Sequence, residues 1–490
     1  MNRLTILILS FSIVFSGYSQ QVKQLTLQEV IDIALDQSLD IYMAKHRYRS
    51  GFWKYRSHIA GYLPSLTLDA TIPELNRSIS GITMPDGSEA FINRKYASSF
   101  ANLSLSQNIF YTGGKVFVNS DLQRIDLLGD SVVTSFLSTP VSIGFVQPLF
   151  AFNPYKWEKQ IEPLKYEESK SEYLETREEI SIKAVDYFFD LMLAQINLKM
   201  AELNYNNNDS IYKISVGRYN LGTIAENELL QMELALLNSE ADLKQAGLDL
   251  EVKKFRLRSF LGFTEDIDIF LILPEELPDL QIDVGKAIDL AKTVNPIIKS
   301  SEISVKEAEK NVAKTRADNR FNANLVASYG LTQSAGSLED AYRDPENRQM
   351  ATVGIMVPIL DWGKGKGKYK MAMSGLEVVR TSAQQDLIDF EQDVFLKVAQ
   401  FNMQKNQVMI KAKADTIALK RYEVTKQRFF IGKINILDLN VALKEKDEAK
   451  RTYINSLKTY WEYYYLIRKL ALYDFEKTQP LTADFDSFIK

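Results

Sequence analysis

The sequence predicts a mainly helical fold with a smaller β-barrel portion, built by duplicating one pattern of elements. Three observations predict it. Short motifs recur twice at fixed offsets. Two helical stretches of roughly 65 residues follow them, and the segments in between alternate apolar with polar residues.

The duplication is read from two anchors. Ile31-Asp32-Ile33-Ala34 recurs as Ile288-Asp289-Leu290-Ala291, an offset of 257 at which Ile41 meets Ile298, Leu68 meets Leu325 and Ala70 meets Ala327. Gln147-Pro148-Leu149-Phe150 recurs as Val357-Pro358-Ile359-Leu360 at an offset of 210, which also pairs Arg218-Tyr219 with Arg428-Phe429 and Leu221-Gly222 with Ile431-Gly432. The offsets differ by 47, so the first half carries about 47 extra residues between Ala70 and Ile143. The expected division is a leader (1–19), a first repeat (20–263), a linker (264–283), a second repeat (284–475) and a tail (476–490).

Each repeat is expected to open with a short helix (Thr26 to Gln37; Val284 to Val294) and a second one (Leu39 to Tyr62; Pro296 to Asn319). Strands follow, within 65–148 and 321–360. A long helical hairpin closes each repeat, 154–261 and 363–473. At 1.5 Å per residue, roughly 65 helical residues span about 95 Å, more than a compact globular domain accommodates. The apolar residues Ile180, Ala184, Val185, Phe188, Phe189, Leu191, Met192, Leu193 and Ile196 cover more than one face. That suits a helix with neighbours on two sides, as a stave has in a wall.

The strands alternate. From Ser65 to Ile72 every even position is apolar; Leu103, Leu105, Val141, Ile143, Phe145, Leu325, Ala327, Val353 and Ile355 continue the rule. This fits a barrel whose outer face meets lipid, and also a soluble sheet with one wet face. Phe110, Tyr111, Phe150, Tyr155, Trp157 and Trp362 gather at strand ends, where an interfacial girdle is expected. Four strands are expected in the first half (Ser65–Ile72, Ser99–Ile109, Lys115–Leu127, Val141–Pro148) and two in the second. Six strands per chain give 18 in a trimer; an extra hairpin folded outside the barrel gives 12. One chain has too few strands to close a barrel, and open edges do not face lipid, so the barrel is shared between subunits.

The N-terminus reads as a secretory signal. Arg3 precedes the apolar run Leu4 to Phe15, and Gly17 and Ser19 provide small residues before a cut near Gln20. No run of about 18 apolar residues exists elsewhere, so a membrane is entered only by strands. A net charge of −4 without a basic stripe argues against nucleic acid. With no cysteine, disulfides and thiol chemistry are excluded.

Leu25 to Leu35 (LTLQEVIDIAL), Tyr62-Leu63-Pro64-Ser65, Gln147-Pro148-Leu149-Phe150 and the two turns Arg218-Tyr219-Asn220-Leu221-Gly222-Thr223 and Arg428-Phe429-Phe430-Ile431-Gly432-Lys433 resemble the TolC-type outer-membrane efflux proteins in order and spacing. The resemblance covers nearly the whole mature chain. It implies a TolC-like fold and a homotrimer whose β-barrel crosses the outer membrane, in contact with its lipid, and whose α-barrel crosses the periplasm. It implies a passive export duct in a tripartite efflux or type I secretion system, partnered by a periplasmic adaptor (membrane fusion) protein and an inner-membrane pump. Arg218, Leu221, Gly222, Thr223, Arg428, Ile431, Gly432 and Lys433 would then form periplasmic tips that meet the adaptor. Glu228 and Asp438, each six residues past a tip glycine, would form a pore gate. The tips depart from the family's commoner Val-Gly-Leu.

No catalytic, cofactor or metal site is expected. The only histidines, His46 and His58, lie twelve apart and read as surface residues, and no P-loop, nucleophile elbow or zinc motif is present. Gly363-Lys364-Gly365-Lys366-Gly367-Lys368 lacks Walker spacing and reads as a strand-to-helix junction with its lysines near the membrane interface. The alternative reading is a secreted or periplasmic coiled-coil scaffold without a membrane barrel.

Overall fold

Capping and hydrophobic spacing start the chain. In the computed structural model, which describes residues 22–129, 131–263, 267–274 and 276–489, Thr26 and Glu29 form a capping box that opens the first helix. The predicted leader lies outside the described residues. The order is β1 (Val22–Leu25), α1 (Leu27–Gln37), α2 (Leu39–Ala60), β2 (Ser65–Thr83), β3 (Glu89–Ile109), β4 (Gly114–Leu128), β5 (Val132–Leu149), α3 (Pro154–Asn220) and α4 (Glu226–Leu261). It continues with β6 (Asp268–Leu271), α5 (Val284–Val294), α6 (Pro296–Asp318), β7 (Asn322–Ala335), β8 (Glu346–Met356), α7 (Lys364–Phe430), α8 (Ile436–Ala471), β9 (Tyr473–Asp474) and β10 (Gln479–Pro480). Helices α3 and α7 each run 67 residues, and α4 and α8 each run 36. No described helix is long and apolar enough to cross a membrane.

The chain groups into two units. One takes the described residues up to His46 with Tyr173–Lys292 and Asp393–Phe485; the other takes Arg47–Glu172 and Thr293–Gln392 with the end of the chain.

The second unit holds one six-stranded antiparallel sheet in the order β2-β3-β4-β5-β7-β8. The extra residues of the first half are β-sheet within this row, so an extra hairpin lying outside the sheet is ruled out. The register places Leu66, Leu105, Val118, Ile143 and Tyr329 side by side on one face. Val116 and Val118, on the strand whose alternation is poorest in sequence, lie on that face at 40% and 36% exposure. The opposite face carries Thr67, Ser104, Asn119 and Ser142, with Ser104 Oγ donating to Asn119 Oδ1 at 2.7 Å and Asn102 Nδ2 donating to Asp121. At Gly144 the Phe117 ring takes the place of a side chain: a Cβ there would lie 2.5 Å from Phe117 Cζ.

Strand lengths depart from expectation for one reason. β2 runs on to Thr83, β3 starts at Glu89 and β5 starts at Val132. The register shifts fall between Thr71 and Glu74 in β2 and between Ser138 and Ser142 in β5, spanning Pro73 and Pro140. Proline has no N–H for the ladder, and a bulge removes the need for one. Each bulge also flips the alternation, so Leu75 joins the face of Leu66 and Leu68 despite its odd number.

In the first unit, Ile180, Ala184, Val185, Phe188, Phe189 and Leu191 are buried, together with Val30, Ala34, Ala287, Ile454 and Tyr460. The expected linker contains β6, which pairs in parallel with β1, Leu25 beside Leu271. Both strands are four residues long, too short to read from periodicity. The Arg468 guanidinium joins Glu178 (2.9 and 3.2 Å) to Asp474 (2.9 Å), with Glu178 and Asp474 both buried. Burial pushes the Glu178 carboxyl above the usual carboxylate range, and Arg468 opposes the shift. Removing one partner strands the other charge. Arg468→Met is expected to cost about 3–5 kcal/mol, and Glu178→Leu added to it should restore a large part; helical circular dichroism through denaturant unfolding measures both.

Candidate functional site

The tips are built by two copies of one turn. In the first, the Gly222 N–H donates to Tyr219 O (2.8 Å) and the Thr223 N–H to Arg218 O (3.0 Å); in the second, Gly432 donates to Phe429 O (3.0 Å) and Lys433 to Arg428 O (2.9 Å). This is a Schellman closure, which needs a left-handed residue just past the helix. Gly222 and Gly432 supply it at φ 69° and 72°. The turns are tied together: Arg218 Nη2 donates to Phe430 O at 2.7 Å, and its guanidinium lies 5.7 Å from the Phe429 ring centroid.

Behind the turns, the four helices meet in a core of Ile211, Met232, Tyr422, Phe429, Ile436, Leu439 and Ala442. A groove of about 760 Å³ opens between the turns and takes in Arg218, Leu221, Thr223, Glu228, Ile431 and Lys433. Leu221 and Ile431 are exposed apolar residues at its rim. Six of the eight predicted tip residues thus line one groove; Gly222 and Arg428 are not among its lining. Sequence reading missed Tyr422 and Met232, whose signal is burial at helical spacing.

The two gate candidates stand differently toward this groove. Both sit at the third position of their helices, where acids favour the positive helix start. Asn435 Oδ1 accepts from the Asp438 N–H at 2.9 Å, whereas Ala225 gives α4 no side-chain cap. Glu228 is half-buried in the groove; Asp438 is exposed and not among its lining residues.

At the sheet, the aromatic set divides. Phe110 packs edge-on against Tyr62 (3.9 Å) and Tyr155 (5.5 Å), while Tyr111 and Trp362 stand out at 90% and 89% exposure, with Phe150 also exposed. His58 is not a bare surface residue: it shares a 2.5 Å hydrogen bond with the Tyr62 hydroxyl, holding the ring that meets Phe110. His46 is exposed.

The turn geometry gives opposite signs to one substitution. Gly222→Ala should destabilise by about 1 kcal/mol because the left-handed conformation penalises a Cβ. Gly217→Ala, in open space within α3, should stabilise by about 0.5–1 kcal/mol. Denaturant midpoints of the two variants check the pair.

Residues 287–461 match the family Outer membrane efflux protein. No curated protein matches the chain. Among solved structures, the CmeC outer membrane channel of Campylobacter jejuni superposes with TM-score 0.67 at 16% identity, covering 100% of this chain and 97% of that one. The VceC outer membrane protein of Vibrio cholerae gives 0.61 at 13%, covering 93% and 97%. The open state of the MtrE outer membrane channel of Neisseria gonorrhoeae gives 0.60 at 15%, covering 93% and 91%. By fold along its whole described length and by sequence across most of its second repeat, the chain resembles the TolC-type outer-membrane efflux proteins.

Proposed function

We propose that the chain is the outer-membrane subunit of a tripartite efflux or type I secretion system: a passive duct from periplasm to exterior, working as a homotrimer and carrying out no chemistry. The single observation that carries this is the six-stranded sheet, apolar and exposed on one face, polar and hydrogen-bonded on the other. A water-filled pore needs the polar face and a hydrocarbon surround needs the apolar one. A coiled-coil scaffold has no use for such a sheet. With six strands of this sheet in each chain, a threefold ring contains 18.

The helices support a ring of several chains. α3 and α8 are joined by Asn204 Nδ2 to Asp447 Oδ2 (2.8 Å) and Arg451 Nε to Asn197 Oδ1 (3.0 Å). α4 attaches to α3 through Lys253 and Asp190 (2.5 Å), and α7 to α8 through Lys450 and Asp415 (3.1 Å). α4 and α7 each keep an exposed apolar stripe at heptad spacing: Leu234, Leu248 and Phe255 on one; Met403, Ile410, Ile417 and Val424 on the other. Glu226, Glu233 and Asp242 flank the first, and Lys411, Lys413 and Lys420 flank the second. Opposite charge and equal period suit α4 of one subunit against α7 of the next, a head-to-tail contact that closes into a ring.

The tip groove would receive a periplasmic adaptor protein, which couples the duct to an inner-membrane pump. Under threefold symmetry, three copies of Glu228 and three of Asp438 would line the periplasmic mouth, and like charges held close favour cations. Single-channel conductance in planar bilayers tests duct and gate together. The native protein should conduct and be blocked by multivalent cations, while Asp438→Asn with Glu228→Gln should lose cation selectivity and weaken the block. A native protein that does not conduct would overturn the duct; unchanged selectivity and block in the variant would overturn the gate alone.

A further inference from the structure

Five chain junctions meet at the end of the sheet where strands give way to helices. Tyr62 after α2 packs on Phe110 in the β3–β4 turn, and Asn153 after β5 donates to Phe110 O at 2.6 Å. Phe150 lies 5.7 Å from Phe321 ahead of β7, and a Cβ on Gly365 in α7 would come within 3.0 Å of Asn319 Oδ1 after α6. Exposed cations gather on these junctions: Lys115, Lys156, Arg320, Lys364, Lys366 and Lys368.

What distinguishes these cations is their clustering at one end of the sheet. Some lysines on the hairpins pair with carboxylates, as Lys213 does with Asp209 (2.7 Å) and Lys253 with Asp190 (2.5 Å). Among the described residues none of the six junction cations forms an ion pair. Nearby acids offset them only in part: the Asp361 carboxylate feels the charge of Lys364. Asp361 is engaged by the Gly363 and Gly365 N–H groups at 2.9 and 2.7 Å, Glu158 lies 4.0 Å from Lys310, and Asp318 is a single exposed carboxylate.

Helix α7 starts against two preferences. Its first turn holds lysines and no acid, where the helix end is itself positive, and it holds glycines, which disfavour helix. Asp361 caps this start through the Gly363 and Gly365 N–H groups, and an external anion would relieve the lysine charge that remains. The geometry also says where that anion lies. Tyr111, Phe150, Ile359 and Trp362 form an exposed apolar and aromatic rim at the same junctions, and such rims sit at the level of lipid head groups.

We infer that this collar binds the phosphates of anionic phospholipids in the leaflet on the helical side of the membrane. The inference rests on the reading of the sheet as a membrane barrel. The lysine stems lie along the rim while the ammonium groups reach the phosphate layer, and Arg320 adds a planar donor fork. Asp361 already fills the loop's N–H groups, so recognition is by side chains and not by a phosphate-binding loop.

The test uses the full mature chain, purified in detergent and incubated with mixed phosphatidylglycerol and phosphatidylcholine, with retained lipid measured by native mass spectrometry. The native protein should retain phosphatidylglycerol preferentially. Lys364→Gln/Lys366→Gln/Lys368→Gln should lower that preference about tenfold, whereas Lys199→Gln/Lys213→Gln, on α3 and away from the collar, should leave it unchanged. Equal retention of both lipids by the native protein, or an unaltered preference in the triple variant, would overturn the collar. Displacement of the lipid by equimolar inorganic phosphate would assign the site to free phosphate instead. A native protein that stays soluble without detergent would refute the membrane reading beneath it, and is distinguished by that solubility.

Discussion

Strands β2 and β8 bound the sheet, and the outward edge of each carries a row of backbone N–H and C=O groups that no other strand among the described residues pairs. In water such an edge is tolerable. In hydrocarbon each unpaired group costs several kcal/mol, and nothing but another strand can satisfy a whole row. Both edges and both faces follow from one requirement: the apolar face needs lipid, lipid forbids open edges, and closed edges need more chains. The polar face, with Asn102, Ser104, Asn119 and Asp121 hydrogen-bonded along it, then lines the enclosed space.

The same logic governs the helical unit in weaker form. Water can solvate the backbone of a helix, so α4 and α7 incur no hydrogen-bond penalty at the ring's edge. What they leave exposed is apolar area, worth about 25 cal/mol per Å² when buried. Their stripes and opposed charges give direction to the contact. In the proposed ring the barrel edge would supply the necessity for assembly, and the helices the selectivity for which edge meets which.

Much of this was legible in the sequence because duplication gives each element two chances to be read. The helix bounds 284–294 and 296–318 follow from apolar spacing and from Pro296 behind the Asn295 cap. The left-handed turns follow from Gly222 and Gly432. Strand lengths were not legible, since Pro73 and Pro140 look like terminators until a bulge absorbs them. β1 opens the first repeat and β6 lies in the linker behind it, and their pairing over four residues is one that no local pattern announces. Of the site, the tips could be read from their turn chemistry. The difference between Glu228 and Asp438 could not, because it depends on how the second turn packs against the first. His58 looked solvent-facing because its partner Tyr62 lies just past the end of its helix.

Closure by several copies is the central claim, and the absence of cysteine makes it directly measurable. Leu237, eleven residues into α4 from Glu226, and Ile417, thirteen residues before the end of α7 at Phe430, stand at nearly equal distance from the tips. In membranes, mild oxidation of the Leu237→Cys/Ile417→Cys protein should give covalent species of two and three chains and none larger, while either single variant gives none. A ladder that ends at two, continues past three, or never forms while the protein remains in the membrane would contradict the shared barrel.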